Sequence, residues 1–455
     1  MVKEIEATCC RLCKSTDLTV VVDLGKQVIT SRFPRKGEEP APPSRITLVQ
    51  CGSCALVQLK WSADSSELYE HFYGYRSGVN TTMRNHLISY NKELQSYAEL
   101  SEGKAVLDIG SNDCTFLSQY PSHVLRVGCD PTGRQFEEEY KKFNCEIIMN
   151  YFTKENVRAR YGPDIRFQLV SSVAMFYDLP DPVQFARDIH DVLAEDGVWT
   201  LEQSYVLLML ERKSIDTICH EHTEYYGVKQ IKDIMDRAGL KIIALSLNEA
   251  NGGSFRTFVC KKTCSRFPEA TELVEKYLKR EEEERIHTPE RYFEWVRECD
   301  EEVRKLNEFL DSAKKDGKSV YIYGASTKGN CLLQYANIGP EKIPFAVERN
   351  PKKEGLMTST GIEIIMEEKM RRDPPDFLLV LPWHFRDEIV KREDAFLQGG
   401  GQLVFPFPSF EVYGSRAEEA PSVNRDGKGK GIMERQSCST CEESQSLPTP
   451  AGHVK

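Results

Sequence analysis

Apolar and polar positions alternate along the chain in two different rhythms. Short apolar runs at 105–109, 124–129, 145–149, 167–171 and 197–203 predict strands. Between them, 114–120, 132–143 and 182–194 carry helical spacing, the last closed by Glu-Asp-Gly at 195–197. Strand–turn–helix alternation of this kind predicts an open, doubly wound α/β sheet with its ligand crevice at the strand ends. A helix at 229–239 and two strands within 240–261, around the turn NGGS (251–254), extend it. The charged stretch from about 269 to 316 reads as helix, with KREEEERIH (279–287) as a solvated face of i,i+4 pairs. A second α/β unit begins at Ser319, with strand SVYIYG, a turn at 324–329, a helix to Tyr335, and strands at 343–350, 377–381 and 403–406. The polar, Gly- and Ser-rich tail at 416–455 is expected to be disordered.

The amino-terminal part has no such rhythm and too few apolar residues for a large core. It holds Cys10-x-x-Cys13 and, some forty residues later, Cys51-x-x-Cys54. Two knuckle-type pairs can place four thiolates tetrahedrally around a structural Zn²⁺, with no position left open for catalysis. Cys9 competes with Cys10 as ligand, and Cys438-x-x-Cys441 in the tail lacks a second pair. The other cysteines are scattered singly and read as small buried hydrophobes in a reducing compartment. A net charge of −10 argues against nucleic acid as a main partner. No apolar run reaches membrane-spanning length, and the start lacks a signal-like apolar region, so the expected location is cytoplasmic.

Three segments carry candidate chemistry. LDIGSNDCTFL (107–117) follows the first strand of the first α/β unit, and Asp130 ends the second strand. Asp108 suits an amino-acid moiety or ribose, and Asp130 suits ribose hydroxyls. Acids in place of a GxGxxG string fit S-adenosylmethionine (SAM) better than NAD; Asp113 could instead cap the following helix. YGASTKGN (323–330) offers Lys328 as a point charge for phosphate, with Arg349 and Lys352 after the next strand, or it is a plain turn with surface lysines. DTICHEHTEYYG (216–227) sets His220, Glu221 and His222 side by side, groups that titrate near neutral pH. Histidines at i and i+2 share a strand face rather than a helix face, which excludes the HExxH metal pattern. The cluster is either polar loop packing or an acid–base centre.

The order CxxC…CxxC, IGSND, MFYDLPDP (175–182), EQSY (202–205), DTICHEH (216–222), NGGS, YGASTKGN, ERNPKKEG (348–355) and LPWHFRDEI (381–389) resembles the sugar C-methyltransferase family over nearly all of Cys10 to Pro408. The resemblance implies a zinc-binding module (1–60), a central class I methyltransferase domain holding SAM (61–262), and a helical segment plus carboxy-terminal Rossmann-like substrate domain (263–415). It makes Cys10, Cys13, Cys51 and Cys54 the Zn²⁺ ligands and places Gly110, Asn112 and Asp113 in the donor pocket, with Asp130 on the ribose. It makes His222 the general base, Glu221 its partner, and Tyr75 a substrate-facing tyrosine; Lys328, Asn330 and Arg349 fall near the nucleotide. The implied reaction takes a proton from a carbon next to a keto group of a nucleotide-linked sugar and methylates the enolate. A non-sugar keto substrate, or a non-catalytic nucleotide-sugar binding protein, are the alternatives. It implies nothing about oligomeric state. The chain departs from the family at Cys219, where YHEH is common, and at Cys114, where NDG is usual.

Overall fold

A computed structural model describes residues 4–39, 42–63, 68 and 76–414. Tyr75 and the tail expected at 416–455 lie outside the described residues.

The amino-terminal module is built on strands β1 (Glu4–Glu6), β2 (Leu18–Gln27), β3 (Ser44–Cys51), β4 (Val57–Leu59) and β5 (Trp61–Ala63). β2, β3 and β4 run antiparallel, and β1 pairs with β5. Leu12, Val22, Ile46, Leu48 and Leu56 are buried beneath them. The fourth strand of the main sheet, Glu224–Tyr225, comes from far down the chain and pairs antiparallel with β4, Glu224 opposite Gln58 and Tyr225 opposite Val57.

The central unit opens with α1 (Thr81–Gln95), whose Asn80 cap accepts from the N–H groups of Thr82 and Met83. It continues through β6 (Ala105–Ile109), β7 (Leu125–Cys129), α2 (Glu137–Phe143), β8 (Glu146–Ile148), α3 (Lys154–Tyr161), β9 (Phe167–Val173), α4 (Pro182–Val192), β10 (Leu193–Ser204), α5 (Val206–Glu211), β11 (Glu224–Tyr225), α6 (Val228–Arg237), β12 (Leu240–Asn248) and β13 (Ser254–Lys261). The sheet order is β8-β7-β6-β9-β10-β13-β12, parallel from β8 to β10 with β13 antiparallel. The chain reverses its direction of sheet growth between β6 and β9, and ligands of such sheets bind outside the carboxyl ends at that point.

The carboxy-terminal unit follows two helices, α7 (Thr271–Glu283) and α8 (Pro289–Lys315), with β14 (Val320–Tyr323), α9 (Thr327–Tyr335), β15 (Phe345–Glu348), β16 (Glu363–Met366), β17 (Phe377–Val380), β18 (Gln402–Phe405) and β19 (Glu411–Tyr413). Its sheet order, β16-β15-β14-β17-β18-β19, is parallel except for β19 and switches direction between β14 and β17. Among the described residues no helix is long and apolar enough to cross a membrane.

Several elements differ from the sequence expectation. The helix expected at 114–120 is a single 3₁₀ turn, Leu117–Gln119. The helix expected to run to 194 stops at Val192, because Leu193 already pairs with Phe167 of β9 and an irregularity before Val198 absorbs Glu-Asp-Gly. α3 escaped notice because Val157 is its one buried residue, so it carries no apolar stripe. KREEEERIH is not wholly solvated: Glu281 within it is fully buried and accepts a hydrogen bond from the Tyr205 hydroxyl at 2.8 Å.

Candidate functional site

The four knuckle cysteines converge. Their sulfurs lie within 4.8 Å of one another, with Cys10–Cys54 and Cys13–Cys51 each at 3.5 Å. Four sulfurs at about 2.3 Å from one ion stand about 3.8 Å apart, so the set fits tetrahedral Zn²⁺. Both knuckles turn alike: Lys14 and Ala55, each just past the second cysteine, take φ of 64° and 62°. Their N–H groups bond back to the Cys10 and Cys51 carbonyls. Gly52 leaves room for the Asp17 carboxylate, since a Cβ there would lie 2.1 Å from one of its oxygens and push that side chain aside. Cys9 stands outside the cluster.

The IGSND turn sits at the carboxyl end of β6, on the switch point of the central sheet. Gly110 has φ of 70°, and a Cβ there would come within 3.0 Å of Met175 in the segment leaving β9. Asp130 is buried; its Oδ1 accepts from the Thr132 N–H and hydroxyl and its Oδ2 from the Asn112 N–H at 2.8 Å. One lone pair on Oδ2 remains, enough for a ribose hydroxyl. Asp108 accepts from the Ser171 hydroxyl at 2.6 Å, and burial pushes its pKa up to about 7, reinforced by Asp130 against the Ser171 bond. Asn112 and Asp113 face the chain before α1: Asn112 Oδ1 accepts from Ser77 N–H at 3.0 Å and Asp113 Oδ2 from Gly78 N–H at 2.9 Å. Asp113 therefore does not cap the following turn, Leu117–Gln119, whose cap position is Phe116 and which has no side-chain cap. Cys114 occupies the family's glycine position with φ of 66° and a fully buried side chain.

DTICHEH is not a strand. It leaves a 3₁₀ turn, Ile215–Thr217, and stays irregular until β11, so its two histidines point to different partners. The His220 Nε2 faces the Ser44 carbonyl at 3.3 Å, in the amino-terminal module. The His222 Nδ1 lies 2.7 Å from the Thr217 carbonyl, and its ring packs on Tyr177 with centroids 4.2 Å apart. A carbonyl only accepts, so Nδ1 carries the proton and Nε2 is the basic nitrogen. Burial works against the imidazolium, but the neighbouring Cys219 and Glu221 outweigh it and raise the His222 pKa, with Lys328 opposing. Burial also holds Cys219 far above the usual thiol range. Glu221 is buried, and neither of its oxygens has a hydrogen-bond partner among the described residues. A small cavity beside the loop is lined by Tyr177, Tyr205, Met209, Thr217, His222 and Tyr225.

The carboxy-terminal sheet aims its own switch point at the same loop. Lys328, after β14, donates to Thr217 Oγ1 at 3.2 Å and to the Asn251 carbonyl of the NGGS turn at 2.5 Å. Trp383, after β17, donates from Nε1 to the buried Asp216 at 3.0 Å. Burial raises the Asp216 pKa, with Lys328 opposing, and lowers that of His384 to about 3, with Lys328 and Arg212 adding to the effect. Lys328 thus reaches into the His222 loop rather than standing on an outer surface. Asn330 is buried, its amide shared between the Thr30 carbonyl and the Ser359 N–H, and Arg349 is exposed.

Sequence reasoning missed Asp216, Tyr177, Trp383 and His384, though each lies in a motif quoted above. It also missed His86. Its Nε2 meets Glu202 at 2.5 Å, and Arg256 and Asn248 occupy the other Glu202 oxygen. A lone histidine in the helix MRNHL carries no sequence signal of a partner 116 residues away.

Comparison with known proteins matches the three parts in order. A zinc binding domain profile covers residues 10–69, a methyltransferase domain profile 83–245, and a C-methyltransferase C-terminal domain profile 249–408. The C-methyltransferase NovU of Streptomyces niveus is 26% identical over 410 residues, spanning 89% of this chain and 96% of NovU. Among solved structures, magnesium protoporphyrin IX methyltransferase from Synechocystis PCC 6803 is 12% identical with a TM-score of 0.32, covering 41% of this chain and 90% of its own. The N-methyltransferase NodS from Bradyrhizobium japonicum is 10% identical with a TM-score of 0.31, covering 40% and 98%. The zinc binding profile spans the four-cysteine cluster, and the methyltransferase profile spans most of the central sheet. The chain belongs to the SAM-dependent C-methyltransferases that join a zinc binding module, a methyltransferase domain and a C-methyltransferase C-terminal domain.

Proposed function

We propose that the enzyme methylates a carbon next to a keto group of a nucleotide-linked sugar, with His222 as the base that forms the enolate. The observation that carries this reading is the His222 ring: Nδ1–H donates its hydrogen bond to the Thr217 carbonyl, leaving Nε2 to accept a proton from carbon. Bound SAM supplies the electrophilic methyl group. Gly110, Asn112, Asp113, Asp108 and Asp130 form its pocket, Asp130 with a free lone pair for the ribose. Glu221, buried without a donor among the described residues, suits a sugar hydroxyl and stabilises the His222 imidazolium once the proton has moved. Lys328, hydrogen-bonded to the residue that holds His222, supplies positive charge where the enolate oxygen develops. Arg349, exposed beyond β15, is proposed to meet the nucleotide, and Asn330 to hold that domain's surface in place. Tyr75 stays a proposed substrate contact.

Mass spectrometry of a panel of nucleotide-linked keto-sugars incubated with the protein and SAM tests the substrate class; a gain of one methyl group on carbon is expected. His222→Ala is expected to bind SAM normally and to lose methyl transfer. Full turnover by that variant removes His222 as the base. Methylation of free keto acids with none of the sugars accepted replaces the substrate class.

A further inference from the structure

Both knuckles of the zinc site are tied by side-chain amides to the segment that leaves the His222 loop. Gln58, on β4, is fully buried. Its Oε1 accepts from the Arg11 N–H at 2.7 Å and its Nε2 donates to the Cys9 carbonyl at 3.1 Å, so it grips the main chain on either side of Cys10. The backbone of Gln58 is paired across the sheet with Glu224, two residues beyond His222. The next residue, Leu59, donates its N–H to the Thr223 carbonyl at 2.9 Å. Arg11, inside the first knuckle, adds a bond to the Leu59 carbonyl at 2.7 Å. Gln230 does the same work for the second knuckle. It is buried, donates to the Cys54 carbonyl at 2.9 Å, and accepts from the Gly227 N–H at 3.0 Å, at the start of α6. The stretch from Thr223 to Gln230 is thereby held at one end by each cysteine pair. A small module that takes its fold from a metal ion is rigid when the ion is bound. Two buried amides with every polar atom satisfied transmit that rigidity, because displacing either leaves main-chain groups unpaired.

We propose that the zinc site governs the placement of the acid–base loop, with Gln58 and Gln230 as the positioning residues that carry knuckle geometry to His222. The relevance to methyl transfer rests on His222 being the base; the mechanical coupling does not. It assigns the metal a part in the site although its four thiolates leave no open coordination position.

The test uses the full chain loaded with zinc, as Gln58→Met and Gln230→Met, which keep side-chain length and remove both hydrogen bonds. Zinc content is measured by mass spectrometry, SAM binding by calorimetry, and the loop by hydrogen exchange of peptides covering 216–227. The rate at which diethyl pyrocarbonate modifies His222 reports the ring's surroundings without any need for the sugar. Each variant is expected to keep its zinc and to bind SAM within about twofold of the parent. Exchange in the loop is expected to quicken by about tenfold or more, and His222 modification with it. Native exchange and native modification rates with zinc retained would overturn the proposal. Should Gln58→Met fail to fold, Gln230→Met decides alone, since it touches only the second knuckle. Turnover by His222→Ala defeats the base reading and leaves these readouts as they are, so the two failures are separate.

Discussion

His222 is suited to take a proton because one carbonyl, that of Thr217, settles its tautomer. Its raised pKa sets a kinetic expectation. The acid limb of kcat/KM against pH should lie above the ordinary histidine value of about 6.5, and Glu221→Gln should move it down, because the Glu221 carboxylate is one of the groups that raise the His222 pKa. An unmoved limb in that variant disconnects the two side chains. Lys328→Met should lower kcat by about 10² or more while SAM binding holds, and Lys328→Arg should recover little, because a planar guanidinium does not fit the two acceptors, Thr217 Oγ1 and the Asn251 carbonyl, that the ammonium meets. Asp108 offers a thermodynamic check. Its folded pKa of about 7 lies above the unfolded value of about 3.9, so between those values the folded state holds a proton that the unfolded state has lost. Stability therefore falls as pH rises through that window, by about 1.4 kcal/mol per unit for this group, and is constant above it. Urea unfolding at stepped pH should show a flatter slope there in Asp108→Asn. The identities of these residues are plain in the sequence, but the roles of Lys328 and Asp216 are not, since their partners lie on other elements.

At the scale of elements, α1 is joined to the central sheet by one charged network. Burial works against the Glu202 carboxylate on β10, but His86 and Arg256 outweigh it and hold its pKa below the usual range. Arg256 stacks over Tyr90 of α1 at 3.5 Å and also pairs with Glu93. Glu202→Gln leaves Arg256 buried with one partner fewer and should cost about 3 kcal/mol of stability, read as a lowered urea midpoint with unchanged slope. Long, patterned strands such as β6 and β13 were legible because every residue in them is buried, and so were α4 and α6, which carry broad apolar faces. The 3₁₀ turn at Leu117–Gln119 and the start of β10 were not, since tertiary pairing there overrides local preference. The His-x-His spacing suggested a strand, yet Ser44 and Thr217 pull the two rings apart.

At the scale of the whole molecule, the amino-terminal module braces both of the larger units. Beyond its hold on β11, its Val28 exchanges hydrogen bonds with Gln334 of α9, and the Met357 N–H bonds to the Pro34 carbonyl. Removing zinc with a chelator should therefore loosen 216–227 and α9 together, seen as faster hydrogen exchange in both before global unfolding. SAM at about 100 times its Kd should raise unfolding free energy by about 2.7 kcal/mol, seen as a concentration-dependent Tm. The sequence by itself determined the parts: two cysteine knuckles, two doubly wound sheets, and the acids, histidines and lysine in their turns. Local spacing and period suffice for these, because a knuckle, a strand or a Gly turn is made by neighbours in the chain. The tertiary structure alone decided that the segment leaving β9 and the turns after β14 and β17 meet at one loop, that Lys328 bonds Thr217 and Trp383 bonds Asp216 there, and that His222 rather than His220 faces Tyr177. Those contacts join residues from 45 to 167 positions apart, and their geometry is set by how packed sheets orient their carboxyl ends, which no local pattern encodes.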